Sequence, residues 1–501
     1  MNFMENISRR SFLQKGTAAA AALTIVPNTI LGKSHGYIAP TDKLNIAAIG
    51  IGGQGNSNLR GVEATENVVA LCDVDWKYSK AVFDRFPNAK KYWDYRKMYE
   101  ELGKSIDAVI VATADHTHAI IASEAITLGK HVFVQKPLTH SVYESRLLTK
   151  LAAKYNVATQ MGNQGSSAEG VNLMCEWIWN GEIGEITKVE AATDRPIWPQ
   201  GLNVPEKVDK IPSTLNWDLF TGPARVRPYN NIYHPWNWRG WWDYGTGALG
   251  DMACHILHPV FKGLKLGYPI KAEASSTLLL NDCAPNAQHV ILTYPTRPNL
   301  PKVAMPEVEV HWYDGGMLPP RPKGFPQGKE LMGSGGGLVI FHGTKDTLLC
   351  GCYGAGPWLL SGRVPDVPKT ERRVPIPEGR RSPGHEMDWV RACKESAGSR
   401  VKSKSDFSEA GPFNEMVTMG VLAVRLQSLN KVLEWDGEKM EFTNIAANEE
   451  IKTVIKDGFT ITDGHPSFAK TYTDPINARE FAAGLINHKY RDGWKLVDMP
   501  R

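Results

Sequence analysis

Three side chains have the types and settings needed to take a proton from a hydroxyl and steady the charge left on its oxygen: Lys136, Asp251 and His255. Lys136 stands in HVFVQKPLTH, where a short apolar run, His131 to Val134, ends against Gln135, Lys136 and Pro137. An ammonium at the end of a buried strand is costly without a partner. Proline holds the residue before it in an extended backbone, so the direction of Lys136 is constrained. That describes either a surface lysine opening a loop or a cation aimed into a site. Asp251 and His255 lie in GALGDMACHILH, which reads as the start of a helix, and at i, i+4 they share a face. A carboxylate beside an imidazole can orient it and tune its hold on a proton. A hydroxyl being oxidised loses its proton as hydride leaves. A histidine in reach can take that proton, and an ammonium can stabilise the developing alkoxide. The plain alternative is a surface pair on a helix, worth about 0.3 kcal/mol. His258 adds an i+7 position that suits a metal face, but no further ligand cluster accompanies it. No metal is expected, and His258 is read as structural.

Trp236, Trp238, Trp241 and Trp242 come immediately before this helix, and Trp198 lies in DRPIWPQG. A single tryptophan is by default a core or interface residue. Four of them crowded beside a candidate base suggest flat faces for the CH sides of sugar rings. Arg195, Trp198, Trp238 and Tyr244 are expected to bind substrate together with Asp251 and His255. Arg239, Asn237 and Asp243 could reach hydroxyls. The substrate expected is a carbohydrate-type small molecule.

These groups need elements that bring them together. KLNIAAIGIGGQG opens with an apolar strand, Leu44 to Ile49, followed by Gly50, Gly52 and Gly55 in a G-x-G-x-x-G turn that also contains Gly53. The first glycine allows the tight turn, the second lets a pyrophosphate approach the backbone, and the third lets helix pack on strand. The next helix presents its N-terminus to phosphates. NVVALCDVD supplies a second strand closed by Asp73, an acid placed to accept from the adenosine ribose. Asp75 is its rival. No arginine stands there for a 2′-phosphate, so the expected cofactor is NAD rather than NADP. Further strand–helix units follow in DAVIVATADHTHAIIASEAITLGK, HVFVQKP and VATQMGNQG. Alternation of this kind implies a parallel, doubly wound sheet, with ligands beyond the carboxyl ends of its strands. Lys136 and Asn163 sit at two such ends. Thr113, His118, Gln135, Lys136 and Asn163 are therefore expected along the cofactor crevice.

The 501-residue chain is long enough for two or three domains, and its 42% hydrophobic and 22% charged composition is globular. A net charge of +4 without a basic run beyond pairs such as Arg372-Arg373 and Arg380-Arg381 argues against a nucleic-acid partner. Seven cysteines without a CxxC pair read as free thiols. Residues 1–35 differ from the rest. SRRSFLQKG, then TAAAAALTIVP, is similar to a twin-arginine export signal, with an apolar run too short to span a bilayer stably. That predicts export to the periplasm or beyond through the twin-arginine machinery. GSGGGLVIFHGTKDTLLC and LEWDGEKMEF read as hairpins, and SPGHEMDWVRACKE as a helix with no assigned role.

The glycine turn, ATADHTHAIIASEAITLGKHVFVQKP, the GNQG segment and GTGALGDMACH together resemble the Gfo/Idh/MocA superfamily of nicotinamide-dependent oxidoreductases. The resemblance implies an α/β fold: a Rossmann domain over 42–165, then an α/β domain over 166–501 with a largely antiparallel open sheet for substrate binding and homo-oligomer formation. It implies that Lys136, Asp251 and His255 are the catalytic set. Gln135 departs from the family's usual Glu-Lys-Pro and removes a carboxylate from beside Lys136. VHWYDGG and HEMDWVRACK look like an exported bacterial subgroup. The implied activity is hydride transfer between tightly bound NAD and a secondary hydroxyl of a sugar, glycoside or cyclitol. The same residues would serve an NAD-dependent glycosidase working by transient oxidation and elimination. A sugar-binding protein without catalysis is the third option.

Overall fold

The computed structural model describes residues 42–372 and 384–500. The export-type segment and the Arg380-Arg381 pair lie outside the described residues. Six parallel strands build the first sheet: β1 (Asn45–Ile49), β2 (Asn67–Cys72), β3 (Lys90–Tyr92), β4 (Ala108–Val111), β5 (His131–Val134) and β6 (Thr159–Met161), in the order β3-β2-β1-β4-β5-β6. The helices between them are α1 (Gln54–Val62), α2 (Lys80–Arg85), α3 (Tyr95–Leu102), α4 (Asp115–Thr127) and α5 (Val142–Tyr155). All four residues of β4, Ala-Val-Ile-Val, are buried, as the centre of a sheet covered on both faces requires. The strand order reverses between β1 and β4, which opens the crevice where such sheets bind ligands.

After α6 (Glu169–Trp179) the chain builds a nine-stranded sheet. Its strands are β7 (Ile186–Thr193), β8 (Lys271–Ser276), β9 (Gln288–Tyr294), β10 (Val308–Tyr313), β11 (Gly337–Gly343), β12 (Thr347–Gly351), β13 (Trp358–Leu359), β14 (Leu433–Asp436) and β15 (Glu441–Phe442), ordered β13-β12-β11-β7-β10-β9-β8-β14-β15. Only β7 and β10 pair in parallel; the others are antiparallel. The two expected hairpins are β11–β12 and β14–β15. Between β7 and β8 lie α7 (Trp217–Thr221), α8 (Gly247–Ile256) and α9 (His258–Gly263).

The late helices return to the first sheet. In α10 (His385–Lys394), Trp389, Val390, Ala392 and Cys393 share a core with Ile46, Ala48, Leu71 and Phe133. This 385–394 segment thus covers one face of the parallel sheet from more than two hundred residues away. Next, α11 (Phe407–Leu426) packs on α5, with the buried Arg146–Glu415 ion pair at 2.7 Å between them. The last helix, α12 (Ala478–Ile486), leads to a terminal segment whose Tyr490, Trp494 and Leu496 pack on the main core. Among the described residues no helix is long and apolar enough to cross a membrane.

Candidate active site

The loop after β5 is fixed from two sides. The amide of Leu138 donates to Asn414 Oδ1 at 2.9 Å, and His118 Nδ1 contacts Pro137 O at 2.8 Å. Lys136 is thereby aimed at α8. Its Nζ donates to Asp251 Oδ1 at 2.6 Å and to the Asp251 carbonyl at 3.0 Å. Arg239 Nε donates to the same Oδ1 at 3.2 Å. The Arg239 guanidinium lies between two rings, 3.9 Å from the centroid of Trp236 and 4.3 Å from that of Trp238. Burial alone would raise the Asp251 carboxyl. The Lys136 ammonium and then Arg239 outweigh it and hold the group far below the ordinary carboxylate range. One carboxylate thus serves two cations.

His255 lies one turn along α8, and its Nδ1 is buried without a partner. Burial, reinforced by the Lys136 charge, holds it well below the usual imidazole range, so the ring is neutral near pH 7. Among the described residues its one close ring neighbour is Tyr353, at 4.6 Å. Asp251 is expected from the sequence to orient either His255 or the substrate; it bonds Lys136 and Arg239 and not the imidazole, which removes the first of these roles.

Lys136, Asp251 and His255 share a cavity of about 350 Å³ that also reaches Gly50, Gly52 and Gly53. The glycine end suits a dinucleotide. Gly50 has φ +78°, and a Cβ on it would lie 2.6 Å from the Ala112 backbone. A Cβ on Gly55 would lie 2.1 Å from Gly50 O, so this glycine sets helix against strand and does not line the cavity. No side chain caps the start of α1, leaving its first N–H groups to an anion. Asp73 braces the turn: its Oδ2 accepts from the amides of Ile51 (2.8 Å) and Gly52 (3.1 Å). Asp73 lines the cavity as well, as do Thr113 and Gln135. Asp75 is bonded to His234 at 2.9 Å and does not.

Several expected residues are placed elsewhere. Both ring nitrogens of His118 contact backbone carbonyls, Pro137 and Thr113, so it shapes the loop instead of meeting a ligand. Asn163 is 1% exposed and outside the lining, though both its amide atoms lack partners and its neighbour Gln164 is in the wall. Trp198 is buried on Gln200, to which its indole donates at 2.9 Å. Tyr244 is enclosed by Trp217, Phe220 and Tyr233. Asp243 is held by Arg225 and Arg227. Trp241 and Trp242 are core residues. Of the tryptophan loop, Trp236 and Trp238 face the cavity, as does Arg195. His258 turns away to Glu409 at 2.9 Å.

The sequence reading missed two walls. Tyr353 has φ +62°, a left-handed backbone that non-glycine residues adopt at a cost, and this places its ring against His255. Gly165 makes room for it: a Cβ there would lie 2.9 Å from Tyr353 Cα. Trp93, Tyr95 and Trp494 close the end of the cavity beyond Asp73, and the Arg96 guanidinium lies 4.3 Å over the Trp494 ring.

An uncapped helix start on a glycine turn, a braced acid closing β2 and a cavity at the reversal of strand order define a dinucleotide-binding α/β protein. Residues 44–163 match the NAD-binding Rossmann fold of the Gfo/Idh/MocA oxidoreductase family, and residues 186–297 match that family's C-terminal α/β domain. The two stretches together make up less than half of this chain; each matches one domain of that family, and the cofactor is NAD. The glycosyl hydrolase family 109 protein 1 of Shewanella sp. (strain ANA-3) is 30% identical over 216 residues. That stretch is 38% of this chain and 46% of the relative's length. Solved structures share the fold at low identity. An oxidoreductase domain protein from Kribbella flavida superposes with a TM-score of 0.52 at 16% identity, covering 78% of this chain and 99% of its own. The WlbA dehydrogenase from Bordetella pertussis, solved with NADH and UDP-GlcNAcA, gives 0.50 at 15% identity over 79% and 99%.

Proposed function

We propose that the protein is an NAD-dependent oxidoreductase acting on a secondary hydroxyl of a sugar, glycoside or cyclitol. The observation that carries this is the convergence of an ammonium, Lys136, and a neutral imidazole, His255, on one cavity with the glycine turn. Bound NAD supplies the hydride acceptor. The protein's part is binding and proton handling. His255 is neutral and can accept the hydroxyl proton. Lys136 can donate to the same oxygen and stabilise negative charge on it. Asp251 and Arg239 fix the ammonium's position, and a substrate oxygen would compete with the Asp251 carboxylate for its hydrogens. Trp236, Trp238 and Tyr353 offer ring faces, and Arg195 a charged donor, to a polyhydroxylated ligand. Gly50, Gly52 and Gly53, Asp73, Thr113 and Gln135 would hold the cofactor.

A second reading, a glycosidase in which transient oxidation acidifies a neighbouring C–H and elimination expels the aglycone, is supported by the glycosyl hydrolase name of the Shewanella relative. Export completes the proposal: free NAD is scarce outside the cytoplasm, so a resident cofactor would be required. Arg9→Lys with Arg10→Lys should leave the protein in the cytoplasmic fraction, and unchanged export would remove this part.

The deciding experiment is to purify the protein without added cofactor, incubate it with sugars and aryl glycosides, denature it and assay the released nicotinamide. NADH appearing with one sugar, together with a keto-sugar, supports the dehydrogenase. Nicotinamide that stays oxidised while a glycoside is cleaved supports the glycosidase. Neither change across the panel, with NAD present, would count against both.

A further inference from the structure

A second cavity, of about 370 Å³, adjoins the first, and among the described residues His116 alone lines both. Its charges do not balance. Arg225 and Arg227 each bond both Asp243 and Asp282, so these two guanidiniums and two carboxylates satisfy one another. Arg425, near the end of α11, is a third guanidinium in the same region, and among the described residues no carboxylate bonds it. Among the described residues it makes no hydrogen bond and no ion pair. It is held instead by two rings, 5.2 Å from the centroid of Trp242 and 5.6 Å from that of Phe481. Burial pushes this guanidinium down to about 10, the direction expected of an enclosed cation short of a counter-charge. The His488 ring beside it makes no hydrogen bond among the described residues either, and stands edge-on to His140, with ring centroids 4.7 Å apart. His140 gives one nitrogen to Gly245 O at 3.1 Å. Lys489 is in the lining too. The remaining acid, Glu144, is engaged by the amides of His140 and Ser141 and by the Tyr490 hydroxyl.

We propose that this cavity binds a small organic oxyanion, a carboxylate or a phosphate ester, with Arg425 as its counter-charge and His488 and Lys489 as further donors. A planar guanidinium with free N–H groups in a partly desolvated wall is suited to bidentate oxyanion contact. The volume is in the range of small-ligand sites. The proposal does not depend on which reaction the first cavity performs.

The test uses full-length protein saturated with NAD, so that the glycine turn is not open to inorganic phosphate. Inorganic phosphate and acetate are titrated separately by calorimetry into the parent, Arg425→Gln, His488→Gln and, as a control on the first cavity, Arg239→Gln. At least one probe should bind the parent saturably, and the stronger of the two identifies the oxyanion class. Arg425→Gln should weaken that binding by about tenfold or more, the loss of a charge-assisted contact. His488→Gln should weaken it less, and Arg239→Gln should leave it unchanged. Arg425→Gln removes an unpaired cation and is expected to fold. Should it not, His488→Gln carries the test alone. Saturable binding of neither probe, equal binding by parent and variants, or a loss confined to Arg239→Gln would overturn the proposal.

Discussion

Gln135 stands where the family pattern has a glutamate, and the structure shows what surrounds Lys136 instead. The partner that a family glutamate would give Lys136 is supplied by Asp251 from across the cavity. Gln135 lines the cavity, but its amide is engaged: Nε2 donates to Asn58 Oδ1 at 2.9 Å. Asn58 Nδ2 in turn donates to Glu386 Oε1 at 2.8 Å. The relay has a direction set by its one carboxylate. Gln135→Glu would put acceptor against acceptor, and turning the Asn58 amide would only move the conflict to Glu386. The expected cost is about 2 kcal/mol, that of a buried polar group left unsatisfied. Adding Glu386→Gln should recover most of it, because the relay can then reverse. A double-mutant cycle by urea unfolding reads the coupling, and strictly additive losses would dispose of the relay. The Lys136–Asp251–Arg239 cluster makes a second prediction. Asp251→Asn leaves two enclosed cations facing each other, so it should lose about 3 kcal/mol of stability as well as turnover. Lys136→Met should lose turnover while sparing most of the stability, because Arg239 still meets the carboxylate. If both variants unfold at the same urea concentration, the shared-carboxylate account is wrong.

At the scale of elements, what the sequence made legible was local. The apolar runs of β1, β4 and β5, the glycine turn and the i, i+4 pair on α8 depend on neighbours within a few residues, and the structure has them at or within about two residues of the expected places. The 385–394 helix was also readable as a helix, but an amphipathic pattern does not say which sheet it will cover. Its place on the parallel sheet, and so the Glu386 end of the relay, depends on the return of the chain. Tyr353 and Trp494 are not legible for the same reason, and the four clustered tryptophans divide, Trp236 and Trp238 to the cavity and Trp241 and Trp242 to the core, because burial and ligand contact favour the same residue type. Trp494 now carries a prediction. It lies on the cavity wall with Trp93 and Tyr95, and its segment is clamped by Arg491, whose Nη2 donates to the Asp218 carbonyl at 2.9 Å. If NAD binds with its adenine toward Asp73, this aromatic wall would cover it and slow its release. Trp494→Ala should retain less NAD per chain after gel filtration and release it about tenfold faster, a loss of roughly 1.4 kcal/mol of contact, with little change in the urea midpoint. Equal retention would make the segment a purely structural wrap.

Over the whole molecule, burial acts on two sets of titrating groups with opposite consequences for folding. His116, His118, His131, His140 and His488 are pushed down by burial to between about 3 and about 4. His131 must be neutral, because its Nδ1 accepts from the Ala158 amide at 2.9 Å. Below about pH 6.5 the unfolded chain binds protons that these folded histidines refuse, so each contributes a loss of stability as pH falls, about 1.4 kcal/mol per pH unit. Asp115, Glu144 and Asp314 are pushed up by burial to about 7. Between about pH 4 and 7 the folded state holds protons on them that the unfolded chain releases. Each therefore works in the opposite direction, stabilising the fold as pH falls. The histidines outnumber the carboxyls, so stability should decline from pH 6.5 to 4.5, though less steeply than the histidines alone would require. Single substitutions separate the two sets. His488→Asn should flatten the slope of unfolding free energy against pH by about 1.4 kcal/mol per unit. Asp314→Asn should steepen it by about the same amount, whatever it costs in stability at neutral pH, since Asp314 accepts from Gln288 and Trp312 in the core. Urea unfolding of the three proteins at pH 6.5, 5.5 and 4.5 gives the slopes, and a shift of the same sign in both variants would refute the opposition.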